Sequence, residues 1–317
     1  MKRSFLLTAL TALLLAVSCA DSGKTQVEKK APKRQGWSYE ALYGNVESVT
    51  ITRYEPKEKF GEIIKDEISG RDDWKFNLNG DVVECCDYFS DGKLWRKTIY
   101  KYDSQNHLSE KNEYNDDGNL RGRERYEYDS QGNNTKTVAY DEEGLQESCN
   151  IRKYDSQGHI IEYYHYGAED VLEFKNLMKY DSQGHCIEEQ TFHYSEQELI
   201  SKKSLYTYNA QGKIVECMSY NADGTLQYKG TVTYNSQGKM SEVVEFSRDG
   251  SLKEKVLMCY DSQGNMVEYC QYDGDNKLSY RYVFKYDAQG NIIEQLLYKG
   301  ELGKLILVEE RTIVYRK

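Results

Sequence analysis

Glu84, Glu110, Glu162, Glu188, Glu216, Glu242, Glu268 and Glu294 each lie eight residues after an aromatic anchor, and only Lys136 breaks the column. The anchors include Tyr208, Tyr234, Tyr260 and Tyr286. Stacked in rows about 10 Å apart, phenol rings and carboxylates could grip a sugar: rings cover its apolar faces and carboxylates accept its hydroxyl hydrogen bonds. The hairpin register puts both columns on one face, which becomes the candidate ligand surface. The competing reading is that Tyr hydroxyls or turn amides satisfy these glutamates, and that the columns only hold a sheet together.

Other candidate chemistry is sparse. Five residues before the anchor stand Lys97, Arg123, Lys175, Lys203, Lys229, Lys255 and Arg281. This column is expected on the opposite face, solvated and discouraging edge pairing. His159 with His185, and His165 with His193, occupy equivalent places in consecutive units. Equivalent residues two strands apart sit about 10 Å from each other, too far to share a metal with bonds of about 2 Å. No metal or cofactor is expected. Cys85, Cys86, Cys149, Cys186, Cys217, Cys259 and Cys270 form no C-x-x-C motif and read as buried thiols replacing apolar side chains, with a disulfide left open. No nucleophile with a base, phosphate-binding loop or isolated carboxylate pair is recognisable, so no enzyme is expected.

The elements that must position these columns follow from one repeated phrase. Tyr154-Asp155-Ser156-Gln157-Gly158 returns at Tyr102, Tyr128, Tyr180, Tyr208, Tyr234, Tyr260 and Tyr286, with Phe76 opening a degenerate ninth copy. The spacing is 26 residues, except for 28 between Tyr180 and Tyr208. Such a period means an array of one small unit. Within a unit, Leu226, Tyr228, Val232 and Tyr234 alternate with polar neighbours, the period of a half-buried strand. Asp or Asn at the second place can bond the backbone two residues on, and Gly at the fifth supplies positive φ. Asn106 alone replaces that Gly. A second aromatic 12 residues on, 14 at Tyr194, opens a second turn. Each repeat is therefore a hairpin, and the unequal turn spacing makes each hairpin slip two residues, a strand tilt of about 35°.

The fold class read from this is all-β: about nine 26-residue hairpins in one continuous, coiled antiparallel meander, either an open ribbon or a barrel-like shell. The composition agrees, with 29 Tyr, 24 Gly and only 2 Pro. A net charge of −10 argues against a nucleic acid partner.

At the start, Lys2 and Arg3 precede an apolar run from Phe5 to Val17, which ends at Ser18-Cys19. Residues 1–19 thus read as a secretory signal, too short to span a membrane as a helix. The run resembles a bacterial lipobox, which implies that Cys19 is lipidated and anchors the chain in the cell envelope. Ala20 after the Cys points to the outer membrane. Residues 20–36 have little to bury and read as a tether. Residues 37–73 carry strand patterns at Val46–Thr52 and Phe60–Ile68 and read as a cap over the array edge, with 74–317 the repeats and a closing strand.

Tyr-Asp-x-x-Gly followed by Asn and an apolar residue, as at Tyr260 to Met266 and Tyr286 to Ile292, resembles the YD repeat of Rhs and teneurin-like proteins. The resemblance covers Phe76 to about Gly300 and implies a sheet coiled into a shell, on a sugar-binding or cell-surface protein. The period is longer than that family's, and neither a protease-like core segment nor a toxin domain follows. A lesser similarity is to MORN-type hairpin repeats. The expected function is a non-enzymatic envelope lipoprotein that binds an extended ligand such as a glycan. The alternative is a structural or protein-interaction lipoprotein, including an immunity-like partner of a toxin.

Overall fold

The computed structural model describes residues 42–59, 62–194 and 199–317. The signal, Cys19 and the tether lie outside them. The described residues form twenty strands and one turn of 3-10 helix. The first ten strands are β1 (Val46–Lys59), β2 (Glu62–Phe76), β3 (Val82–Tyr88), β4 (Leu94–Tyr102), β5 (Leu108–Tyr114), β6 (Leu120–Tyr128), β7 (Asn134–Tyr140), β8 (Gln146–Tyr154), β9 (Ile160–Tyr166) and β10 (Leu172–Tyr180). The second ten are β11 (Cys186–Tyr194), β12 (Leu199–Tyr208), β13 (Ile214–Tyr220), β14 (Leu226–Tyr234), β15 (Met240–Ser247), β16 (Leu252–Tyr260), β17 (Met266–Tyr272), β18 (Leu278–Tyr286), β19 (Ile292–Lys299) and β20 (Lys304–Tyr315). Each strand pairs antiparallel with the next, and β20 returns to pair with β1. The meander is a closed barrel.

The tight turns form as their chemistry dictates. In the first turn Asp155 accepts the backbone N–H of Gln157 and His159 on Oδ1, both within 2.9 Å, and Gly158 sits at φ +86°. Asn106 holds the same left-handed place at φ +67°. A bulge follows each first turn: Lys101 opposes Glu110 while Tyr102 opposes Leu108. Crossing perpendicular to the strands from Ile99 reaches Asn112 and then Arg123, two residues short of the repeat-equivalent Arg125. That is the stagger expected from the turn spacing. Twenty strands about 4.8 Å apart, tilted about 35°, would give a round section a radius of about 19 Å and a wall about 20–25 Å tall.

The first anchors face the inside. Strands coil right-handed around a barrel, and with the observed stagger this puts the anchor side on the concave surface. Both buried clusters are there. One spans Ile214, Cys217, Val232, Val243, Val256 and Met258 on β13 to β16. The other joins Val46, Val49, Ile51, Phe76 and Val82 on β1 to β3, beneath Ile313 and Tyr315 of β20. Their members come from consecutive strands and not from opposite walls. The apolar material is a lining, consistent with a barrel of this strand number, too wide for its side chains to meet.

The expected cap does not cover an edge. Leu42 to Val46 and Tyr315-Arg316 together build one first turn from the two ends of the described chain. Gly44 takes the left-handed glycine place at φ +84°, and Arg316 N–H donates to Asn45 O at 2.7 Å, as Asp129 N–H does to Asn133 O in an unbroken turn. Val46 opposes Tyr315 just as Leu108 opposes Tyr102. The Tyr315 hydroxyl donates to Asp287, and Asn291 Nδ2 donates to both Tyr315 and Tyr43 O. The edges meet because each is half of the same turn.

Candidate functional site

The bulge overturns the expected ligand face. Thr233 opposes Glu242, but its neighbour Tyr234 opposes Met240. The extra residue flips the register, so the glutamates point outward while the anchors point inward. The basic column shares the glutamates' outer face rather than opposing it. The register expected from the sequence fails because a further bulge, beyond the turn glycine, places two residues opposite one.

On the outside the glutamates are paired partly by the basic column and partly by lysines that stand one residue before the anchors. Glu84 lies between Lys75 and Lys97 at 2.7 and 2.8 Å, and Glu188 between Lys179 and Lys203 at 2.8 and 2.9 Å. Glu110 is bonded by Lys101 and Asn112, Glu162 by Lys153 and Tyr164, and Glu294 by Lys285. Glu216 pairs with Lys229 and Glu268 with Arg281. The Lys101 bond, aided by Asn112, holds the Glu110 carboxyl down at about 2, and lysines likewise lower Glu84, Glu162 and Glu188. This is an ionic ladder over the outer sheet with seven carboxylates already committed; Glu242, opposite Thr233 and Leu257, has no ion pair among the described residues.

The inward anchors are staples. Tyr102, Tyr128, Tyr154, Tyr180, Tyr234 and Tyr286 each donate their hydroxyl to the carbonyl 20 residues earlier, at 2.7 to 2.9 Å; Tyr208 reaches 22 residues back, to Cys186 O. Tyr260 instead meets Met258 Sδ. Burial raises Tyr102 and Tyr286 to about 12. The residue after the turn Gly completes the lock along the rim. His107, His159 and His185 stack on Tyr128, Tyr180 and Tyr208 with centroids 4.6 to 4.7 Å apart, and Lys213 and Lys239 lie over Tyr234 and Tyr260. His159 and His185 therefore join consecutive repeats, and each also touches its own turn carboxylate. The described residues hold no cluster of metal-ligating side chains.

The thiols fit their apolar reading in part: Cys85, Cys86, Cys149 and Cys217 are buried, whereas Cys259 is exposed; all seven described are free. Burial pushes Cys217 up to about 12.

What repeats is thus structural, and what varies lies inside. Nine residues after the anchors the inner wall carries Cys85, Lys111, Thr137, Tyr163, Glu189, Cys217, Val243, Tyr269 and Gln295. Lys111 meets Glu124, Arg53 meets Asp72 and Glu309, and Arg96 meets Asp87 and Glu113. Tyr269 and Tyr282 meet edge to face at 5.6 Å, and Tyr163, His165, Phe174 and His193 form a ring cluster on β9 to β11. His165 Nδ1 lies 2.7 Å from Asn150 Oδ1, which also accepts the Tyr163 hydroxyl. The signal for this site was present in the sequence as the columns that fail to repeat.

The outer wall carries the charged ladder from β3 to β19, and the inner wall carries charges between its apolar sectors. A bilayer-spanning barrel needs an outward apolar band about 25 Å tall, and neither the ladder nor the inner wall supplies one. No described helix is long and apolar enough to cross a membrane.

No family model matches the sequence, and no curated protein is similar to it. Among solved structures it is similar to a chain of the TcdB2-TccC3-Cdc42 complex, with 11% identity over 90% of this chain but 18% of that one, at a TM-score of 0.36. It thus spans less than a fifth of that chain. It is also similar to a porin-like protein from Bacteroides uniformis, with 9% identity over 85% of this chain and 98% of that one, at a TM-score of 0.37. The fold itself defines the class: a closed β-hairpin-repeat barrel with a lined lumen.

Proposed function

We propose that this barrel is a non-enzymatic binding ring of the cell envelope, tethered through lipidated Cys19, whose lumen holds an extended glycan. One observation carries the reading. Where repeats agree, their side chains bond one another; where they differ, on the inner wall of β8 to β11, half-buried aromatic rings stand beside amides and hydroxyls. Rings that stack on sugar faces, with amides that meet hydroxyls, make a carbohydrate surface. Weak contacts along such a surface add up for a long ligand. A glycan array probed with the full-length chain in detergent tests it: binding should disappear in Tyr163→Ala and Phe174→Ala and persist when Glu216, Glu242 and Glu268 become Gln. The reverse pattern would return the site to the outer ladder. Fatty-acid labelling tests the tether, because Cys19→Ser should take up no label.

The alternative, a protein-interaction lipoprotein, is favoured by a different feature. Past Tyr54 the β1–β2 hairpin outruns its neighbours, pairing Glu55 with Glu67 and Lys57 with Ile64 as a two-stranded arm. Ile64 and Ile68 on it are exposed. Removing the arm should abolish capture of an envelope protein under this reading and leave glycan binding intact under the first.

A further inference from the structure

We infer that the lumen recognises an anionic saccharide, one bearing carboxylate, sulfate or phosphate groups, along a band of β8 to β12 with a cation at each end. This names the ligand class for the binding ring proposed above and rests on that reading.

The register lays out the band. Arg152, Tyr163, Asn176, Thr191 and Lys202 oppose one another in sequence across five strands. Alongside runs a second row of Asn150, His165, Phe174 and His193. Four strand spacings separate Arg152 from Lys202, about 19 Å. Between the cations lie a phenol, an amide and a hydroxyl, flanked by a Phe ring with an imidazole on either side at 4.8 and 5.8 Å. Asn176 Nδ2 donates to Glu189, while its Oδ1 has no partner among the described groups.

The charges single out this sector. Arg53, Arg96 and Arg311 on the inner wall each hold a carboxylate within 3.0 Å. Arg152 holds none among the described residues. Its Nη1 is oriented by the neutral Asn134 and Thr137, and its guanidinium lies 5.4 Å from the Tyr163 ring centre. It also lines a cleft of about 450 Å³ between the turns at Asp129 and Asp155. Equivalent places in other repeats hold Tyr100, Tyr126, Met178, Tyr206, Val232, Met258 and Phe284, so the charge is unique to this unit. Lys202 is exposed and has no carboxylate partner among the described residues. Of the acids at the band, Glu189 is engaged by Asn176 and Tyr206, and Glu173 lies 3.5 Å from His165 Nε2. In a chain of net charge −10, two uncommitted cations facing one surface set a local field of the opposite sign. A positioned guanidinium suits a planar or tetrahedral oxyanion, and the rings between suit sugar faces.

The test is titration of the full-length chain in detergent with a short oligogalacturonate, its uncharged galactose counterpart, inorganic phosphate and a thymidine oligonucleotide. The acidic saccharide should bind about tenfold tighter or more than the neutral one, as loss of a charged hydrogen bond requires, and should weaken with salt. Arg152→Ala and Lys202→Ala should each cost about tenfold, Arg152→Lys less, and the outer Lys97→Ala nothing. Should Arg152→Ala unfold, as read by thermal melting, the exposed Lys202→Ala carries the test alone. Equal binding of acidic and neutral saccharides, lost in Tyr163→Ala but unmoved by Arg152→Ala, overturns the anionic class and leaves the glycan ring standing. Binding of neither saccharide overturns both. Equal or tighter binding of the oligonucleotide, or of phosphate alone, overturns the saccharide specificity.

Discussion

Eight residues after the anchors the outer wall repeats Glu in eight of nine units, while one residue further on the inner wall carries seven different residue types in nine units. The two positions are adjacent in the chain and opposite in consequence. Outside, seven of the eight carboxylates, all but Glu242, meet a lysine or arginine from a neighbouring strand, and the same bond copied from repeat to repeat is a way to hold a sheet. Inside, the bore is wide enough that side chains need not match a partner across it, so each unit is free to carry a different group. Regularity marks what supports the ring, and irregularity marks what can be selective.

That contrast can be broken at the seam, where the largest effect is expected. Deleting Tyr315 to Lys317 removes the Tyr315 and Arg316 bonds to Asp287, Asn291, Asn45 and Val46. At about 1 kcal/mol per bond this costs on the order of 4 kcal/mol, and chemical denaturation should show a broadened transition. Next comes the turn glycine. Gly264 sits at φ +83° with the Lys239 side chain against the place a Cβ would take, so Gly264→Val should destabilise by about 1–3 kcal/mol. Tyr234→Phe removes one staple, to Ile214 O at 2.7 Å, and should cost about 1 kcal/mol while leaving far-UV circular dichroism unchanged.

The outer ladder should respond least, and through acidity. The carboxyls of Glu84, Glu110, Glu162 and Glu188 are lowered on folding, so they favour the folded state above their unfolded pKa of about 4.3. Their contribution is lost as pH falls through the folded values, which for Glu110 is about 2. Melting temperature should therefore drop between about pH 4.5 and 2. Glu110→Gln should flatten the slope without changing the neutral-pH stability by more than about 1 kcal/mol, as exposed pairs allow.

Much of this architecture was legible in the chain. The phrase beginning at each Tyr fixed the hairpins and both turns, and the 12-to-14 alternation fixed the stagger. Closure was not legible, because half of the deciding turn is written at Gly44-Asn45 and half at Tyr315-Arg316, with no local sequence joining them. The facing of the glutamates was misread for a local reason: the bulge after each first turn adds a residue, and Ser109 or Ser241 looks like any other strand residue. Arg152 carries no recurring signal, because its chemistry depends on being the exception to a column of aromatic and aliphatic residues.

The split turn also makes ring size a matter of counting. Neither half belongs to a particular internal repeat, so a chain shortened or lengthened by one whole 26-residue unit still ends in the same two complementary halves. Adding or removing two tilted strands changes the circumference by about 12 Å, and hence the diameter by about 4 Å. Duplication or loss of one unit in the gene is thus a discrete adjustment of calibre, with no new joint to invent.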